Sequence, residues 1–476
     1  MIRLFLLLLV VPFIGFAQTT FEKNLGDSLY QDGRCALQTS DGGFLVAGRG
    51  VDATGRYDIL LMKTDSLGNL VWTKSWGGLS SDFAATIKPT VDGGYIMAAT
   101  TYSFSSQPGT NSDWWIFRFD ANCDTLWTRI INNIGNDQLY DAIETTDGSI
   151  LACGWISQGG YARGTLRKFS PAGALMHTFS LGSAANSYAQ SVVELPNGNY
   201  MVVGSRLQTT FGADIVQLDT ALNYVNDYFF DLPSTGEVAQ TLERLPQGGY
   251  MLAVKTGYII NRMDIWLLRL NDNFDTLWTR IIPQRPISIN NTDEPFGFTA
   301  VADSGYILCG QKLVGTSLRA IMYRLDTSGA ILWTQTYGGA PNGGNRFWWP
   351  LALNDGGFLL TGEYVDSIFF DSNVYLVRTD AFGQQSTATT IKENEKVSLR
   401  LYPNPAADRL YWKATTLSGD DVELSLYSLE GKQLLKLNQL PANGSVDVSA
   451  LPSGIYFCEI RSGNQRTVKK LLFNNR

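Results

Sequence analysis

The sequence predicts an all-β chain, a seven-bladed β-propeller followed by a small immunoglobulin-like β-sandwich. Three observations predict it. A glycine-rich turn leading into a short apolar strand recurs at Asp41-Gly-Gly-Phe, Asp92-Gly-Gly-Tyr, Asp147-Gly-Ser-Ile, Asn197-Gly-Asn-Tyr, Gln247-Gly-Gly-Tyr, Asp303-Ser-Gly-Tyr and Asp355-Gly-Gly-Phe, about every 50 residues, the spacing of propeller blades. Aromatic residues at 12% and 47 glycines, with only 17% charge, suit many short strands joined by tight turns. After a polar stretch near residue 390, further alternating strands follow without the repeat.

The first element is a leader. Met-Ile-Arg precedes the apolar run Leu4 to Phe16, and Gly15-Phe16-Ala17 gives a small-residue exit before Gln18. The run is shorter than the ~20 apolar residues of a spanning helix. Residues 1–17 are therefore expected to be a cleaved signal peptide, with no transmembrane anchor in the mature chain.

Residues 18–384 hold the repeats. In the second unit Phe83 to Pro89, Tyr95 to Thr100, Trp114 to Phe119 and Leu126 to Ile131 read as four strands, with Asp-Gly as a two-residue hairpin link. Four strands per unit make an antiparallel meander, and a linear stack would need polar caps that are absent from the sequence. The seventh unit stops after its third strand, near Phe382-Gly383, while Phe21-Glu-Lys-Asn-Leu-Gly26 stands alone before the first unit. The N-terminal strand is expected to complete the last blade and close the ring. Trp72, Trp127, Trp278 and Trp333 share one repeat position and read as inter-blade packing. Lys63, Arg118, Lys168, Arg269, Arg324 and Arg378 share another and read as turn or blade-to-blade ion pairs.

Residues 385–398 read as a linker, and residues 399–476 as the sandwich, with strands at Arg409 to Lys413, Val422 to Tyr427, Gln433 to Leu437, Ile455 to Ile460 and Thr467 to Phe473. Four segments in order, Leu401-Tyr-Pro-Asn-Pro405, Val422 to Gly431, Val446 to Tyr456 and Lys469 to Phe473, resemble the C-terminal sorting domain of type IX secretion in the Bacteroidota. The resemblance implies periplasmic transit, export across the outer membrane by the type IX machinery, and a secreted or cell-surface location. Pro403, Asn404, Pro405, Gly431, Gly454, Tyr456 and Lys470 carry over as family positions, with turn-fixing structural roles for most. The repeats also look like those found upstream of such domains.

The chemistry is sparse. A net charge of −7 without basic stretches argues against nucleic acid. The five scattered cysteines are expected to be buried free thiols, and His177, the one histidine, an exposed strand residue with no partner for zinc or for a catalytic triad. Gln31, Asp82, Asp137, Ser187, Glu237, Asp293 and Asn345 form a repeated ring read mainly as loop caps, with a calcium site or a glycosidase-like carboxylate pair as alternatives.

Departures from the repeat point to a binding site. Where other blades carry Cys35, Thr86, Asp141, Ser191, Thr241 and Gly297, the seventh carries Trp349, beside Arg346, Phe347 and Trp348. The following loop adds Tyr364, Phe369 and Phe370. Two readings stand for this sector: Trp349 plugs the channel, or the aromatics and the arginine form a recognition patch for glycan or protein. Asp27-Ser-Leu, Asp65-Ser-Leu, Asp124-Thr-Leu, Asp219-Thr-Ala, Asp275-Thr-Leu and Asp366-Ser-Ile resemble O-glycosylation acceptors of these bacteria, although turn chemistry alone generates most of them. A monomeric binding or adhesion scaffold without catalysis is expected, a glycan-active enzyme or cation-dependent module being the alternatives.

Overall fold

The structure is a computed structural model. It describes residues 19–473 apart from 27–29, 53, 183–184, 208–210, 233–235, 258–263, 283–293, 303–304, 316, 339–343, 366–371, 386–398, 403–405, 407, 415–421, 429–431, 439–440, 442 and 463–464. The predicted signal peptide and most of the predicted linker lie outside these residues, as do Asp293, Phe369, Phe370, Pro403, Asn404, Pro405, Gly431 and the motifs beginning at Asp27 and Asp366. The chain divides into two compact units, Met1–Ser386 and Thr387–Arg476.

The first unit is a ring of seven four-stranded antiparallel sheets. The innermost strands are Gln31–Gln38, Asp82–Pro89, Gln138–Glu144, Ser187–Glu194, Val238–Arg244, Glu294–Ala300 and Arg346–Ala352. Each packs on the sheet before it, and Gln31–Gln38 packs on Phe358–Val365 and Ser372–Thr379 of the last blade, which closes the circle. Phe21–Leu25 is the fourth strand of that last blade, paired antiparallel with Ser372–Thr379 from Phe21 opposite Arg378 to Leu25 opposite Val374. The ring thus joins its own ends, and its last blade has no unpaired edge toward the missing strand.

The Asp-Gly hairpins are one residue longer than expected. In the first blade the Thr39 N–H donates to the Gly43 carbonyl at 2.9 Å and the Gly42 N–H to the Thr39 carbonyl at 2.9 Å, leaving a three-residue loop with Gly42 at φ +79°. The shared basic residues lock these loops: Lys63 pairs with Asp41 at 2.9 Å, Arg118 with Asp92 at 2.6 Å, Lys168 with Asp147 at 3.0 Å and Arg378 with Asp355 at 2.7 Å. Three also reach the next blade, Lys168 donating to the Thr220 carbonyl at 3.1 Å, Arg378 to the Ser66 carbonyl at 3.0 Å and Arg118 to Glu144 at 3.5 Å.

The second repeated turn shows how the blades interlock. Trp278 covers Gly329 of the following blade, whose φ is +74° and where a Cβ would lie 2.8 Å from the indole. Trp127 and Trp333 cover Gly173 and Gly383 in the same way. Three blades lack this glycine and hold Cys123, Leu222 and Phe274 at φ 61°, 63° and 65°. Their side chains are buried, so packing offsets the left-handed backbone cost. The tryptophans are inter-blade packing, as the repeat predicted.

All five cysteines are free and buried, and His177 is exposed in the strand Leu175–Ser180. The second unit has two sheets, Leu399–Tyr402, Arg409–Ala414 and Asn443–Asp447 in one, and Gln433–Leu437, Val422–Tyr427, Gly454–Ser462 and Gln465–Phe473 in the other. They enclose Leu410, Trp412, Leu424, Leu426, Cys458, Ile460 and Phe473. Two of these strands, Leu399–Tyr402 and Asn443–Asp447, were not read from the sequence, being only four and five residues long. Tyr456 stacks on Phe473 at 4.6 Å and donates to the Pro452 carbonyl at 2.7 Å, while Gly454 opens its strand and Lys470 lies within the last one.

Candidate functional site

Each innermost strand carries a β-bulge at the same place. The register against the second strand slips between Gly33 and Cys35, Ala84 and Thr86, Leu139 and Asp141, Ala189 and Ser191, Ala239 and Thr241, Pro295 and Gly297, and Phe347 and Trp349. The skipped residues are Arg34, Ala85, Tyr140, Gln190, Gln240, Phe296 and Trp348, and all seven line a single cavity of 380 Å³. A bulge re-aims one side chain out of the pleat. Here that happens seven times around one axis, so the channel mouth is lined by the residues that the ladders leave out.

Local backbone makes room for this. In five blades a glycine of the second strand faces the bulge, Gly48, Gly154, Gly204, Gly310 and Gly362; a Cβ at Gly48, Gly154, Gly204 or Gly362 would fall 1.8–2.0 Å from the carbonyl oxygen of Asp32, Gln138, Tyr188 or Arg346. Only a residue without a Cβ admits that approach.

The wall is aromatic and cationic on one side. Trp348 lies 4.5 Å from Phe296, with the Arg34 guanidinium 4.3 Å and the Arg346 guanidinium 5.4 Å from its indole. Lys255 lies 5.0 Å from the Phe296 ring. Behind the wall, wholly buried Asp32 accepts from Arg34 Nε at 3.0 Å and from Arg49 Nε at 2.9 Å. Arg346 pairs with Glu363 at 3.3 Å. Across the mouth, the Tyr140 hydroxyl donates to Gln138 Oε1 at 3.0 Å and accepts from Trp155 Nε1 at 3.1 Å.

Deeper in the ring Asp141 ties three blades together, accepting from Lys88 at 2.8 Å, from Ser191 at 3.1 Å and from Thr86 at 3.3 Å. Glu243 accepts the Ala300 N–H at 2.6 Å, and burial pushes its carboxyl up to about 7.

Of the sequence-derived patch, the structure brings Trp348 and Trp349 into the cavity, with Arg346 against Trp348. Both tryptophans face the same space because the bulge between Phe347 and Trp349 breaks strand alternation; strict alternation would have put them on opposite faces. Phe347 is not part of the patch. It is fully buried, stacked on Tyr375 at 5.1 Å and against Tyr337 at 5.5 Å. Tyr364 belongs to the same inter-blade cluster, 5.5 Å from Tyr375. Trp349 packs in part on the core between the first two blades.

Sequence reasoning missed Arg34, Tyr140, Gln190, Gln240 and Phe296. They share a repeat position but, the two glutamines apart, no residue type, and the glycines opposite all but Gln240 were the available signal. The ring of short polar residues turns inward to the loops. Asp82 accepts from the Ser103 hydroxyl at 2.6 Å, Asp137 from the Ser157 N–H at 2.8 Å and Asn345 from the Val365 N–H at 3.1 Å, while Ser187 accepts from the Gly164 N–H at 3.0 Å. These are loop-capping bonds. Among the described residues no group of three or more His, Cys, Asp or Glu side chains is arranged to hold a metal ion.

Among curated proteins none matches this chain. Solved structures with likeness to the propeller include a puromycin hydrolase S511A mutant complexed with PGG, at 13% identity and TM-score 0.44, covering 80% of this chain and 58% of that one. The chain thus spans little more than half of that hydrolase. Sqt1 from Chaetomium thermophilum matches at 11% and 0.45 over 75% of this chain and 98% of its own. The β-propeller domain of the Trilobed protease from Pyrococcus furiosus matches at 10% and 0.42 over 74% and 95%. At such scores the propeller rests on its own strand pairing, and nothing about activity follows. Residues 400–474 match the family described as the secretion system C-terminal sorting domain. Behind its seven-bladed propeller the chain therefore carries a type IX secretion sorting domain, the mark of a secreted or cell-surface protein.

Proposed function

We propose that this is an exported binding module whose ligand, a glycan or a protein segment, enters the mouth of the propeller channel. The observation that carries the reading is the set of seven bulges, which deliver aromatic, amide and guanidinium groups to one cavity. A pocket of this volume lined by aromatics and a few polar groups is the common form of a small-ligand site. In this reading the module binds without turnover. What supports that is the commitment of its reactive groups elsewhere: the thiols are buried, and burial raises Cys35 to about 11, while the polar ring caps loops. Glu243, held up at about 7 by burial, is the carboxyl that a catalytic reading would test first.

The test is a glycan and peptide screen of the full mature chain, with Trp348→Ala and Gln240→Ala alongside. Both variants are expected to melt within a few degrees of the parent and lose about tenfold or more in affinity, as truncated anchor residues do. Parental binding by both would place the ligand elsewhere. Release of products from a bound glycan, abolished in Glu243→Gln, would favour the enzyme.

A further inference from the structure

We propose that the ligand of the channel mouth is an acidic saccharide, a sugar ring held against the aromatic wall with its carboxylate on Arg34. This rests on the binding reading above and adds the ligand's chemistry.

The charge of the cavity carries it first. Its lining includes Arg34, Arg49 and Lys255 and no carboxylate, in a chain whose net charge is −7. The two arginines share one buried carboxylate, Asp32, so the pair keeps a positive charge. Arg34 gives Asp32 its Nε and Nη2 donors, both at 3.0 Å, and its Nη1 edge has no partner among the described residues. A guanidinium held on one edge and open on the other is pre-organised for a planar carboxylate.

Unused polar groups carry it further. Gln190 lines the cavity and makes no hydrogen bond among the described residues. Gln240 reaches only the Val238 carbonyl, at 3.5 Å. Carboxamides offer donors and acceptors side by side, which vicinal hydroxyls satisfy and an apolar ligand leaves unmade. Trp348 and Phe296 are already covered by one another and by cations, so it is Trp349, over whose ring no cation lies among the described residues, that supplies the apolar surface on which the C–H face of a sugar ring stacks. At 380 Å³ the cavity is at the small end of ligand pockets and admits a terminal sugar unit rather than a long chain.

Calorimetric titration of the full mature chain with a glucuronic-acid-terminated disaccharide, its neutral glucose counterpart and a peptide ending in two glutamates tests this. The acidic sugar is expected to bind about tenfold tighter than the neutral one at ~0.05 M salt, with the gap closing toward ~0.5 M. Arg34→Gln is expected to remove the gap and spare the neutral sugar; because that variant also takes a partner from Asp32, the comparison of the two sugars on the parent chain stands without it. Equal affinity for both sugars, or a peptide that binds as tightly as the acidic sugar, overturns the saccharide assignment and leaves a binding site. Failure of all three probes overturns the saccharide, and if the broad screen is also silent, the binding reading falls with it.

Discussion

Single residues separate stability from recognition in this ring. Phe347 is fully enclosed between Tyr337 and Tyr375, whereas Trp349 is half-buried with one side on the cavity. Phe347→Ala is expected to cost about 3–5 kcal/mol of stability. Trp349→Ala should cost less, about 2 kcal/mol, and also lose binding; denaturant unfolding of the two variants checks the order, which a larger loss for Trp349→Ala would reverse. Asp137 gives a signature in pH. Its carboxyl is buried and pushed up to about 6, above the ~3.9 of an unfolded chain. The folded state therefore holds the proton more tightly, and this group's contribution is complete below about pH 4 and lost as pH rises through 6. Asp137→Asn is expected to flatten the fall in stability between pH 4 and 6, and an unchanged slope would show that another group governs it.

At the scale of the element, the bulge decides what the mouth contains. Gly362→Ala would press a Cβ to 1.9 Å from the Arg346 carbonyl oxygen, so the bulge carrying Trp348 must shift. We expect about 1–3 kcal/mol of destabilisation, as for overpacking, with weakened ligand binding although Gly362 lines no part of the cavity; a variant that binds normally would mean the bulge tolerates the shift. The same element explains what sequence could and could not reveal. Turn positions, strand order, the inter-blade packing of the tryptophans and the closing strand were legible because each depends on local chemistry repeated blade after blade, although the hairpin loops hold three residues where two were expected. The bulge was not, because it is a slip in backbone register and no residue type encodes it. Arg34, Tyr140, Gln190, Phe296 and Trp348 look unrelated along the chain and become one wall only when the register is known. Phe347 was misplaced for the same reason, since aromatic content does not say which way a side chain faces.

For the whole molecule, the ring holds only while its ends meet. Deleting residues 18–26 removes the strand paired with Ser372–Thr379 and should lower the melting temperature and abolish ligand binding, because Trp348 and Arg34 meet across the seam that this strand secures. An unchanged thermal midpoint would show closure to be dispensable. The sorting domain predicts a separate outcome: truncation after Asn394 should leave a folded propeller in the periplasm, and normal surface delivery of the truncated form would refute that route. Closure has a mechanical consequence as well. The cavity lies where the innermost strands begin, while Ser372–Thr379 ends opposite Phe358 at the far end of the last blade, and the turn after it stays on the ring as far as Gln385, which donates to Glu22 at 2.7 Å. A pull along Ser372–Thr379 from the chain that follows it would run lengthwise along the strands. Ser372–Thr379 is flanked by Phe358–Val365 on one side and Phe21–Leu25 on the other, and its ladder bonds lie across the pull. The load is shared as shear by two rows of bonds at once instead of peeling one row bond by bond, so the strand that closes the ring also makes it a clamp under tension.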